Sequence, residues 1–70
     1  MALKKRSFTL TGHRTSVALE PEFWQVLETE ARDTGLSLAA FVSEIDKTRG
    51  PRPLASALRV HALSVSQTRT

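Results

Sequence analysis

Seventy residues make one small domain at most, and a domain of that size buries too little surface to dispense easily with a staple or a second subunit. There is no cysteine, which excludes a disulfide and a thiolate metal site, and no apolar run long enough to cross a membrane. The net charge of +3 is unevenly sorted: residues 1–19 carry Lys4, Lys5, Arg6 and Arg14 and no acid, residues 20–46 hold every acid against Arg32 alone, and residues 47–70 carry Lys47, Arg49, Arg52, Arg59 and Arg69 and no acid. Two readings fit that asymmetry, a polyanion that meets the basic ends or simply a solvated tail beside an ordinary helix surface. No signal-peptide core follows the basic start, so the expected setting is soluble and cytoplasmic.

Residues 1–6 read as a basic arm. Residues 7–10 alternate, with Phe8 and Leu10 on one side, and Thr11-Gly12 interrupts the pattern. Phe8 and Leu10 are even-numbered whereas Val17 and Leu19 are odd, so a flat strand through both would put them on opposite faces. Gly12 is therefore a turn or a bulge, and residues 1–12 are either a hairpin strand or an extended arm. His13–Leu19 is the strand with the clearest alternation. Thr15, Val17 and Leu19 suit a buried face, and Arg14, Ser16 and Ala18 an outward one. One strand leaves its backbone groups unpaired, and no later segment matches it, so the expected partner is the same strand of a second copy.

Glu20-Pro21-Glu22 opens a helix, with proline at the first position and acids near the positive end of its dipole. Phe23, Trp24, Leu27 and Ala31 repeat at helical spacing, and Gly35 marks the end of a helix over residues 21–34. Ser37 caps a second helix whose stripe is Leu38, Phe41, Val42 and Ile45, running to about residue 48. Residues 49–53 form a Gly/Pro linker. Leu54, Ala57, Leu58, His61, Ala62 and Val65 then share one face of a third, short helix over residues 54–65, widened by Val60 and Leu63. Residues 66–70 read as a flexible tail.

The run Arg14-Thr-Ser-Val-Ala-Leu-Glu-Pro-Glu-Phe-Trp-Gln-Val-Leu, followed by Gly35-Leu-Ser-Leu-Ala-Ala-Phe-Val, resembles a ribbon-helix-helix domain, over residues 13–48 without a gap. The lead-in Gly-His-Arg-Thr-Ser-Val is similar to a bacterial subgroup of small stand-alone members. The fold class this implies is mostly α with one β-strand: an intertwined homodimer whose two strands form an intermolecular antiparallel ribbon, here with a short C-terminal helix added. The resemblance also implies that the ribbon lies in the major groove of double-stranded DNA. Alternation would then aim Arg14, Ser16 and Ala18 at base edges, although a polar residue is usual where Ala18 stands. The amides of Ser37, Leu38 and Ala39 would meet a phosphate, with Lys4, Lys5, Arg6 and His13 as further phosphate contacts. The dimer core would comprise Val17, Leu19, Phe23, Trp24, Leu27, Ala31, Phe41, Val42 and Ile45.

No catalytic constellation appears: the two histidines are far apart, no Gly-rich phosphate loop exists, and the carboxylates lie at helix starts and on helix surfaces. The expectation is a protein that is not an enzyme and takes no metal and no cofactor. Two function classes remain. One is a homodimeric DNA-binding repressor or regulator of transcription, bound to DNA as a dimer or as a dimer of dimers. The alternative is an antitoxin-like or other protein-interaction module that holds a protein partner through residues 54–65.

Overall fold

The computed structural model describes residues 2–68; the expected tail at residues 66–70 lies partly outside that range. Two strands, β1 (Lys4–Leu10) and β2 (His13–Leu19), are followed by three helices, α1 (Pro21–Asp33), α2 (Leu38–Thr48) and α3 (Leu54–Thr68).

β1 and β2 pair antiparallel along their full lengths, from Lys4 opposite Leu19 to Leu10 opposite His13. This corrects the expectation that β2 has no mate in its own chain. The segment left open between arm and hairpin is a strand, and it satisfies one edge of β2. The turn is the two residues Thr11 and Gly12, with φ of +48° and +81°. Positive φ at both central positions matches the right-handed twist of the strands it joins. It also resolves the change of parity, because a two-residue turn brings even residues of β1 onto the face of odd residues of β2. Threonine is an uncommon choice at positive φ, and its hydroxyl donates to the Leu10 carbonyl at 2.7 Å. Thr11→Asn is expected to raise stability by about 0.5–1 kcal/mol, since asparagine tolerates this conformation better. Urea unfolding measures it, and an unchanged or lower midpoint would show that the turn holds no relievable strain.

The helix boundaries follow local chemistry. Glu20 is extended and its carbonyl accepts from Phe23 and Trp24, which starts α1 with Pro21 in the first turn. Its carboxyl is held below its ordinary value, first by a hydrogen bond from its own backbone N–H and then by Arg59, whose Nε lies 3.2 Å away. At the other end Leu36 N–H reaches the Ala31 carbonyl and Gly35 N–H that of Arg32, with Gly35 at φ +76°. That paired closure is the left-handed ending that glycine allows most cheaply. The Ser37 hydroxyl accepts from Ala40 N–H at 3.1 Å and caps α2. After α2, Arg49 binds Asp46 and the Arg52 carbonyl, both at 2.7 Å, fixing the linker that precedes α3. α3 runs three residues beyond the end read from its apolar pattern.

The helices cover one face of the hairpin: α2 packs against β1, α3 against β2, and α1 against both helices. Phe8, Leu10, Val17 and Leu19 from the ribbon meet Trp24, Leu27 and Ala31 of α1, Phe41, Val42 and Ile45 of α2, and Ala57, Leu58 and Ala62 of α3. Eight of the nine residues expected in a core between two chains are therefore buried inside one, and Phe23 packs half-buried at its edge.

Candidate nucleic-acid interface

Pleating sends alternate residues to opposite faces, and the register fixes which side chains share the uncovered face. Lys5 stands opposite Ala18, Ser7 opposite Ser16, and Thr9 opposite Arg14. All are exposed except Ala18, which is half-buried. The Ser7 and Ser16 hydroxyls are 2.9 Å apart and share a hydrogen bond at the centre of the face. Neither Lys5 nor Arg14 has an ion pair among the described residues. The face thus carries two cations, three hydroxyls and one methyl, with no carboxylate.

The residues expected at base edges, Arg14, Ser16 and Ala18, lie together on this face. The expected phosphate contacts do not behave as one group. Lys5 shares the outward face. Arg6 does not: it lies on the packed side, with its guanidinium 2.7 Å from Glu28 and over the Trp24 ring at 5.2 Å from the centroid. This corrects its reading as a free basic residue of an arm; β1 pairing turns its side chain toward α1. Lys4 and His13 have the inward parity too, but both are exposed at the strand ends. Ser37, Leu38 and Ala39 sit at the start of α2, where the first amides lack intrahelical acceptors. Ser37 and Ala39 are exposed and Leu38 is half-buried.

Sequence reasoning missed Ser7 and Thr9 as members of the face. The signal was present: once Phe8 and Leu10 are inward, the intervening residues must point outward.

Charge is sorted in space as in sequence. The acids sit on or beside the helices, and Glu28 is engaged across elements by Arg6 and Glu20 by Arg59. On α3, His61 lies edge-on to Phe41 with centroids 5.3 Å apart, and its buried Nε2 has no hydrogen-bond partner among the described residues. The ring forms part of the wall of an open groove of about 690 Å³ between α2, the linker and α3. Among the described residues no cluster of three or more His, Asp or Glu side chains is arranged to hold a metal ion, and no helix is long and apolar enough to cross a membrane.

The model of the ribbon-helix-helix domain family matches residues 3–65. That span takes in β1, β2, α1, α2 and most of α3, and the chain belongs to the ribbon-helix-helix family. Comparison with curated proteins and with solved structures found no match. The family is one of DNA-binding regulators, and its members typically dimerise.

Proposed function

We propose that the protein binds double-stranded DNA through the uncovered face of the ribbon and represses transcription by occupying promoter DNA. The observation that carries this reading is the face itself, with Lys5 and Arg14, in no ion pair among the described residues, flanking hydroxyls and every carboxylate elsewhere. A major groove admits a two-stranded ribbon. In this reading Arg14 grips guanine O6 and N7, Ser16 donates or accepts, and Ala18 meets a thymine methyl. Lys4, Lys5 and His13 meet phosphates at the rims, as do the amides at Ser37, Leu38 and Ala39. Arg6 is left out, because leaving Glu28 and Trp24 would uncover the core.

Because β2 has a mate along one edge within its own chain, the homodimer is supported instead by the family, whose members typically dimerise, and by Val60 and Leu63, about half exposed and one turn apart on α3. Two ribbons on one duplex fit a twofold-symmetric operator in a bacterial cytoplasm, with dimers repeating on longer sites. The protein-interaction alternative is weaker, since the apolar stripe of α3 is spent on this chain's own core.

A mobility-shift titration with the protein's own promoter, at two salt concentrations, tests the reading. Arg14→Ala is expected to cost about 1–3 kcal/mol of discrimination at one base pair. An equal loss on specific and unrelated duplexes would reassign Arg14 to a phosphate. No shift of any duplex at low salt would remove DNA binding. Two chains per shifted duplex are expected, and one chain per duplex would remove the dimer.

A further inference from the structure

We infer that β1 is the flanking strand of the DNA-bound sheet: it lies over the walls of the major groove, where Lys5 and Thr9 contact phosphates and fix the position of the base-contacting β2. This rests on the DNA-binding reading above and deepens it. Among the described residues β1 and β2 form a two-stranded sheet, so each strand has an open edge. An open edge is a row of unpaired N–H and C=O groups that can take another strand. The two edges are not equivalent. β1 begins with three consecutive cations, Lys4, Lys5 and Arg6, and charge of that kind, lysine above all, discourages edge pairing. β2 has no charged residue from Thr15 to Leu19. α3, which packs on β2, also carries the exposed Val60 and Leu63. A second copy therefore belongs against β2, as the family resemblance implies, and β1 becomes the outer strand on each side.

Full antiparallel pairing of two copies about a twofold axis sets Ser16 opposite its counterpart and Arg14 opposite Ala18, so the two Arg14 guanidinium groups do not face each other. Across its width the sheet then runs β1, β2, β2, β1. At about 4.8 Å between neighbours, the central strands are one spacing apart and the outer strands roughly 14 Å apart. A major groove about 12 Å wide admits the central pair, with Arg14, Ser16 and Ala18 over the bases. The outer pair falls on the two walls. What β1 presents there is Lys5, Ser7 and Thr9, all exposed on the same face. Ser7 is tied to its neighbour strand, with its hydroxyl 2.9 Å from that of Ser16, and so orients a base-contacting hydroxyl. Lys5 and Thr9 stand about 14 Å apart along the strand. Lys5 is a cation in no ion pair among the described residues, and Thr9 is a hydroxyl donor. Phosphate oxygens accept from both, and such contacts set orientation without distinguishing one base pair from another.

The test separates backbone contact from base contact by salt and by sequence. Full-length Lys5→Gln, Thr9→Ala, Thr9→Lys and Arg14→Ala are titrated at several salt concentrations on the duplex that the wild type selects from randomised DNA and on an unrelated duplex. Each variant is also put through the selection, and circular dichroism checks its folding. Lys5→Gln is expected to weaken binding to both duplexes by the same factor and to flatten the slope of log affinity against log salt by about 1.8 for the two copies together. Thr9→Lys is expected to do the reverse, tightening both duplexes equally at low salt and steepening the slope by a similar amount, a gain that misfolding cannot mimic. Thr9→Ala is expected to lower both affinities by up to about tenfold with the selected sequence unchanged, whereas Arg14→Ala alters it. A changed selected sequence with Lys5→Gln or Thr9→Ala would overturn the placement by putting β1 among the bases. So would slopes unmoved by both Lys5→Gln and Thr9→Lys while the wild type still binds, or one chain per bound duplex, which leaves β1 no central pair to flank. A wild-type chain that shifts no duplex would overturn both this placement and the DNA-binding reading.

Discussion

Trp24→Ala is expected to cost about 3–5 kcal/mol, in a chain whose whole stability, at 0.05–0.15 kcal/mol per residue, is about 4–10 kcal/mol. Trp24 is 1 % exposed, and it fastens β1 in three ways. Its indole Nε1 donates to the Lys4 carbonyl at 2.7 Å. Phe8 packs on it with centroids 5.9 Å apart. Arg6 lies over its face while bound to Glu28. The ion pair is partly exposed and adds about 1 kcal/mol at most; the buried ring carries the rest. Trp24→Phe keeps most of the apolar volume but leaves the Lys4 carbonyl without its donor and weakens the cation–ring contact, for about 1–3 kcal/mol. Urea unfolding of the three proteins checks the order. A Trp24→Ala loss below 1 kcal/mol would mean that β1 is not secured through this residue. Because Lys5 and Ser7 follow Lys4 on the strand, DNA affinity is expected to fall with Trp24→Phe even where the chain stays folded.

The same contacts explain what could and could not be read from the sequence. β2, α1, the Ser37 cap and the Gly/Pro break are local features: alternation, helical spacing, a hydroxyl before an apolar run, a residue that ends a helix. Each leaves its mark within a few residues, and each is found where expected. Pairing of β1 with β2 is not local in that sense. Its turn carries Thr11 where asparagine would have announced it. Its first half, Lys4-Lys5-Arg6, has a cation at the inward position that an apolar residue normally fills. Arg6 is tolerated there only because Trp24 and Glu28 receive it, and no pattern within β1 could show that. The candidate site was legible by halves for the same reason. Arg14, Ser16 and Ala18 follow from the alternation of β2, whereas Ser7 and Thr9 join them only once the register is known. The polar residues that close α3 have no stripe to betray them, so its last turn was missed.

A chain ending at Gly50 is expected not to fold by itself. α3 contributes Ala57, Leu58 and Ala62 to the core, with Leu58 wholly buried, and it packs on β2, α1 and α2 at once. Without it, the apolar faces of Leu19, Leu27 and Val42 lose a wall. A single Leu58→Ala substitution removes about 2–5 kcal/mol, and loss of the whole helix removes more than the domain has to spare. Arg59 goes with it, leaving Glu20 at the head of α1 without its counter-ion. The measurement is circular dichroism of residues 1–50 over a hundredfold range of concentration, with Leu58→Ala in the full chain as the milder probe. The expected result is little cooperative unfolding at any concentration. The opposite result would be informative in a specific way. If residues 1–50 folded only as concentration rose, a second copy would be supplying the wall that α3 supplies here, and the two-chain core expected from the family would be available to this sequence. In the full chain β1 occupies one edge of β2 and α3 packs against it, so its folding is expected to depend less on concentration than that of residues 1–50.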